Sequence, residues 1–138
     1  MSEVGATGVV GVGVDIVEVD RIRELMERKG ERLEGRLFTA AEVGCSRGGR
    51  YDRLAGRFAA KEAVAKALGT GIRGFGWNEI EIADEPTGQP CARLVGRAAE
   101  LAARLGVTRI DVSIAHTRHI AIAFAVAIGG GEFEGRDI

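Results

Sequence analysis

The stretch Arg57-Phe58-Ala59-Ala60-Lys61-Glu62-Ala63-Val64-Ala65-Lys66 decides how this chain is read. It belongs to a helix predicted from about Asp52 to Leu68, with Gly69 offering a left-handed stop. At about 100° per residue, Leu54, Phe58, Ala65 and Leu68 share one apolar face. Glu62 and Lys66 share an adjacent face with Ala55 and Ala59, alanines that leave room for something bulky beside the two charges. A Glu-to-Lys pair four apart is also common in purely structural helices, where it contributes roughly 0.3–0.5 kcal/mol. The pair alone does not define a site.

Asp15 changes the balance. Val9 to Ile16 reads as a mostly apolar, buried strand interrupted by Gly11 and Gly13. A carboxylate near the end of such a strand is costly unless it is paired or bound to metal. Helix capping falls more naturally to Asp20, just before a helix striped by Ile22, Leu25 and Met26. Two carboxylates from different elements, with substrate phosphates and waters, are a usual way to hold magnesium. Nearby lysine and arginine would neutralise charge during phosphoryl transfer. No glycine-rich Walker loop ending in Lys-Ser/Thr is present, which excludes an ordinary P-loop.

The remaining elements follow outward. Thr39 and Glu42 form a capping box for a short helix ending near Gly44, and Ser46 to Tyr51 is a basic, glycine-containing loop. Phe75 to Ala83 and Cys91 to Val95 alternate as strands around the turn Glu85-Pro86-Thr87-Gly88. Ala98 to Leu105 is an amphipathic helix closed by Gly106. Arg109 to Ala115 and Ile120 to Ile128 are strands joined around His116 to His119, and the glycine-rich tail beyond is expected to fray. No internal repeat appears. The expectation is one α+β domain over residues 1–138, core about 9–128, with a largely antiparallel sheet packed with helices.

The 138 residues are 46% hydrophobic and 28% charged, a balance that supports a packed core. Net charge is only −1, yet residues 21–73 hold 13 basic and 7 acidic side chains, leaving the rest acidic. Interleaved glutamates account for the basic residues up to Arg36. The span from Arg47 to Lys61 carries Arg47, Arg50, Arg53, Arg57 and Lys61 against the single acid Asp52, which points to an anion site. Ile120 to Ile128 is too short to cross a bilayer, which takes about 20 residues. The N-terminus lacks a basic leader, so a cytoplasmic location is expected.

Three segments carry a resemblance: Gly13-Val14-Asp15-Ile16; Arg57 to Ala63 with Lys66-Ala67-Leu68-Gly69-Thr70-Gly71; and Ser113-Ile114-Ala115-His116-Thr117. In order, spacing and total length they resemble the motifs of the short type of phosphopantetheinyl transferase, the holo-acyl-carrier-protein synthase type. The likeness covers about Val9 to Ile128. It implies that fold, and transfer of 4'-phosphopantetheine from coenzyme A to a serine of apo-acyl carrier protein for fatty acid biosynthesis. Asp15 and Glu62 would hold Mg2+. Glu62, directly or through a water, would accept the serine proton, and Lys66 would contact the reacting phosphate. Lys61 would meet the pyrophosphate or a structural carboxylate. His116 and Thr117 would meet the nucleotide end of coenzyme A, with Arg57 and Arg50 at its 3'-phosphate. Arg21 and, more loosely, Arg28 would face the acidic carrier protein.

Larger members carry a further acid two residues after the strand aspartate, where this chain has Val17, so water would complete the metal shell. The short type is a homotrimer with sites shared between subunits, and the resemblance implies the same here, with neither nucleic acid nor membrane as partner. Ile120 to Ile128 alternates large side chains with alanines, and the alanine face allows close approach by a second surface. A non-catalytic coenzyme A or nucleotide-binding module would have no use for Asp15 and Glu62 together. A magnesium-dependent phosphohydrolase would need no basic docking helix.

Overall fold

A computed structural model describes residues 7–44, 49–69 and 75–130 of the chain. Strand β1 (Thr7–Glu18) leads into helix α1 (Val19–Leu37), the short α2 (Ala40–Gly44) and the long α3 (Tyr51–Ala67). Strands β2 (Ile80–Asp84) and β3 (Pro90–Leu94), helix α4 (Gly96–Arg104), and strands β4 (Val107–His116) and β5 (Ile120–Gly130) complete the fold. The five strands form one antiparallel sheet in the order β1-β5-β4-β3-β2, so β1 and β2 are its two edges. This is the expected single α+β domain.

α3 lies across one face of the sheet, and small residues let it lie close. Ala121, Ala123, Ala125 and Ala127 of β5 are buried, as are Ala55, Ala59, Ala60 and Ala63 of α3. A Cβ built on Gly11 would overlap the Ala67 carbonyl oxygen, and one on Gly13 the Ala63 carbonyl oxygen. The expected close approach to the alanine face of β5 is therefore made within the chain, by α3. Ala55 and Ala59, expected to line open space beside Glu62, are instead fully buried in the core.

The opposite sheet face is open. Val12, Val14 and Ile16 of β1 are exposed, beside Ile120, Ile122 and Phe124 of β5. Val14 pairs with Phe124 and Ile16 with Ile122 across the strands. β1 was expected to be buried throughout; only the face carrying Gly13 and Val17 is, because a single helix layer covers a single face. A register shift between Val9 and Gly11 puts Val9 on the open side as well.

Several boundaries differ from expectation. β1 runs two residues further than its apolar pattern, so Glu18 is the α1 N-cap. Asp20 sits in the first turn, 2.9 Å from Arg23, and does not cap. The helix breaks at Gly30, whose φ of 64° is in the left-handed region. Residues 77–79 form a 3-10 turn rather than strand, because the Gly76 amide donates to Glu79 Oε2 at 2.7 Å. Gly69 and Gly106 end their helices with positive φ, as expected. Part of the 46–51 loop and the tail beyond Gly130 lie outside the described residues.

A buried ion pair locks the helices to β2. Lys61 Nζ, fully inaccessible, lies 2.6 Å from Glu42 Oε1 and donates to the Trp77 carbonyl at 3.0 Å. Glu42 completes the expected capping box with Thr39 and also accepts the Ile82 amide at 2.8 Å. Burial pushes the Lys61 ammonium below its ordinary range, and Glu42 opposes that shift. Removing one member leaves a buried charge without its partner, so Lys61→Met should cost about 3–5 kcal/mol of stability in urea denaturation. Adding Glu42→Gln to Lys61→Met should recover part of that loss, whereas Arg23→Ala, at an exposed pair, should cost less than about 1 kcal/mol.

Candidate active site

Alternation along β1 turns Gly13, Asp15 and Val17 toward α3. With Gly13 against Ala63, the next turn of α3 brings Lys66 over Asp15. Lys66 Nζ lies 3.1 Å from Asp15 Oδ1 and donates to the Val14 carbonyl at 3.0 Å. The Asp15 side chain is 17% exposed, at the rim of the core where solvent or a ligand can reach it. Glu62, one turn earlier on α3, is half-buried beside this pair. Burial and then the Asp15 charge hold its carboxyl above the ordinary range, while Lys66 and Arg21 pull it down. Asp15, Glu62 and Lys66 are thus brought together, with Arg21 near enough for its charge to act on Glu62.

The basic residues gather on the other flank of α3. Arg53 and Arg57 are about 140° or more around the helix from Glu62, at 100° per residue. They line a cleft of about 250 Å³ with Gly56, Asp84, Pro90, Ile114 and His116. Gly56 lets Ile114 approach, since a Cβ there would meet its Cγ2 at 3.0 Å. Arg57 donates to Asp84 Oδ2 at 2.8 Å. Arg50 makes two hydrogen bonds of 3.1 Å to Asp52, and His116 Nδ1 stands 3.6 Å from the same carboxylate. The Arg50 bond, ahead of the Arg53 amide and the His116 charge, holds the Asp52 carboxyl below its ordinary range.

Two expected residues are already engaged. Lys61 takes the structural-carboxylate alternative: sealed in the core against Glu42, it offers no contact to pyrophosphate. The Thr117 hydroxyl accepts the His119 and Ile120 amides at 3.1 Å each, which shapes the hairpin that presents His116. Arg28 is exposed on α1, two turns from Arg21. Asp84 and Asp52 were missed as partners of the cations. Asp52 stood out only as the lone acid in a basic run, and Asp84 pairs across 27 residues, which no local spacing reveals. Among the described residues, no group of three or more His, Cys, Asp and Glu gathers as a metal cluster.

A sequence model of the 4'-phosphopantetheinyl transferase superfamily matches residues 11–125. A holo-[acyl-carrier-protein] synthase of Desulforudis audaxviator is 51% identical over 126 residues, covering 90% of this chain and 96% of the relative. The crystal structure of the Neisseria meningitidis holo-[acyl-carrier-protein] synthase superposes with a TM-score of 0.78 at 36% identity, over 87% of this chain and 98% of that one. The Helicobacter pylori synthase in complex with coenzyme A gives 0.76 at 29% identity, over 84% of this chain and 98% of that one.

The raised Glu62 carboxyl fixes a pH signature. A group that binds its proton more tightly when folded contributes stability below its unfolded pKa and loses it as pH rises through the folded one. Without metal, Glu62→Gln should therefore raise Tm at neutral pH. The gain should vanish as pH falls below the ordinary carboxylate range, where Glu62 is protonated in both states; differential scanning calorimetry in EDTA reads this directly.

Proposed function

This chain belongs to the 4'-phosphopantetheinyl transferase superfamily, and from that premise we propose that it performs the reaction for which the holo-[acyl-carrier-protein] synthases are named. It transfers 4'-phosphopantetheine from coenzyme A to a serine of apo-acyl carrier protein, and the holo carrier serves fatty acid biosynthesis. The observation that carries this reading is the meeting of Asp15, Glu62 and Lys66, from two separate motifs, at one exposed rim.

The donor set suits Mg2+: two hard carboxylates pressed together by the fold, with Lys66 as the cation beside them. Asp15 and Glu62 would hold the ion, which would offset charge on the phosphate oxygens. Phosphates and water would complete its shell, since Val17 supplies no third carboxylate. The serine oxygen bonds to the β-phosphorus of coenzyme A, and the anhydride bond to the α-phosphate breaks, releasing adenosine 3',5'-bisphosphate. Lys66 steadies the phosphate oxygens, and Glu62, directly or through a water, accepts the serine proton. Arg57, Arg50 and His116 receive the nucleotide end, and Arg21 and Arg28 face the acidic carrier.

α3 stands between the two halves of this machinery. Lys66 reaches the β1 edge of the sheet and Arg57 the β2 edge. One coenzyme A would meet both where the cleft of one copy faces the carboxylates of another. The open apolar face of β1 and β5 supplies a surface for such contact. The assembly we propose is a homotrimer, a number that rests on the family likeness. No helix among the described residues is long and apolar enough to cross a membrane, and we place the enzyme in the cytoplasm.

Incubation with coenzyme A, Mg2+ and an apo carrier should add about 340 Da to the carrier serine, the mass of the transferred arm. Asp15→Asn or Glu62→Gln should lower that rate at least a hundredfold, and a carrier of unchanged mass with the wild type would reject the activity. Arg21→Glu should raise KM for the carrier far more than for coenzyme A, and added salt should act in the same direction. Sedimentation should show a trimer. Mixing inactive Glu62→Ala and His116→Ala subunits should restore part of the activity, whereas a fully active monomer would refute shared sites.

A further inference from the structure

The cleft beside Arg57 holds a carboxylate that neither metal binding nor transfer calls for. Asp84 is the last residue of β2 and points its Oδ2 at Arg57, 2.8 Å away. The two are unequally placed: the Arg57 side chain is 11% exposed and that of Asp84 is 45% exposed. The guanidinium is therefore packed within the cleft, and the acid stands at its mouth. Packing on α3 already restricts the arginine, so the main effect of Asp84 is its charge.

We propose that Asp84 is a specificity-determining residue that weakens the grip of Arg57 on a phosphate monoester. The proposal rests on the reading that Arg57 receives the 3'-phosphate of the coenzyme A nucleotide. A phosphate seated on the remaining N–H groups of Arg57 carries up to two negative charges and lies within a few ångström of the Asp84 carboxylate. Like charges at that range oppose binding, and a half-buried cleft screens them less than open water does. Arg50 and His116 do not escape the same logic, because Asp52 stands against both. Asp84 differs in being the more exposed acid, 45% accessible against 24% for Asp52, at a position where substitution leaves the core intact.

The same phosphate is present on coenzyme A and on the released adenosine 3',5'-bisphosphate. Asp84 therefore loosens substrate and product alike, and its benefit to the enzyme is escape of the product. A ligand without the 3'-phosphate does not meet the repulsion.

Calorimetric titration of the intact oligomer with adenosine 3',5'-bisphosphate and with 5'-AMP tests this. The wild type should prefer the bisphosphate, and Arg57→Gln should remove most of that preference. Asp84→Asn should tighten the bisphosphate roughly five- to tenfold and leave 5'-AMP within about twofold. Combining Asp84→Asn with Arg57→Gln should abolish the gain. If Arg57→Gln removes the preference but Asp84→Asn leaves it unchanged or weakens it, the role of Asp84 is refuted and the phosphate subsite stands. A wild type without preference for the bisphosphate refutes the subsite and the role of Asp84 together.

Discussion

The close approach of α3 to β1 is the constraint on which the site depends. Two glycines, Gly11 and Gly13, replace side chains that would collide with the carbonyl oxygens of Ala67 and Ala63. The alanine face of β5 continues the same shallow bed. A helix laid this deep is buried on most of its circumference, which is why its interior is nearly all alanine, valine and glycine. Charged residues remain only on its flanks or, at Lys61, inside a dedicated ion pair. The carboxylate and lysine of α3 are therefore delivered to a β1 aspartate by the close backbone packing of helix on strand.

The fold tolerates electrostatic cost on each side of that helix. Glu62 is half-buried next to a like charge, an arrangement that folding alone would not favour and that a bound cation would relieve. On the far flank, the cations are matched by Asp52 and Asp84. Unmatched, Arg50, Arg53, Arg57 and His116 would repel one another around a small cleft; the two aspartates offset that repulsion. Between the flanks, the Lys61–Glu42 pair joins α3 to α2, and Glu42 also accepts the Ile82 amide of β2. It holds the helix by charge where alanines offer little surface for dispersion.

Much of this was legible in the sequence because it is local. The α3 helix, the Thr39–Glu42 capping box, the Gly69 and Gly106 stops and the β4–β5 hairpin all follow from spacings of four residues or fewer or from simple alternation. Asp15 and Glu62 were found because a strand carboxylate and a helix carboxylate stood out against apolar patterns. What spacing could not supply was which surface meets which. The alanines of β5 signalled close packing but not that α3 of the same chain would fill it. Lys61 and Glu62 are adjacent in sequence, yet one is sealed in the core and the other reaches solvent. Their separation follows from the 100° step of the helix combined with the position of α2, which the sequence does not fix. The strand expected from Phe75 failed because a single side chain, Glu79, folds back onto the Gly76 amide.

The most direct measurement is divalent-ion affinity in a protein whose helix has been lifted from its strand. Gly13→Ala adds one methyl group where α3 rests on β1, and leaves Asp15, Glu62 and Lys66 unchanged. Manganese binding, followed by electron paramagnetic resonance with coenzyme A present, reads whether the two carboxylates still act on one ion. At a temperature where circular dichroism shows full helix content, the variant should bind manganese at least tenfold more weakly than the wild type. A folded Gly13→Ala protein with wild-type manganese affinity would contradict the account.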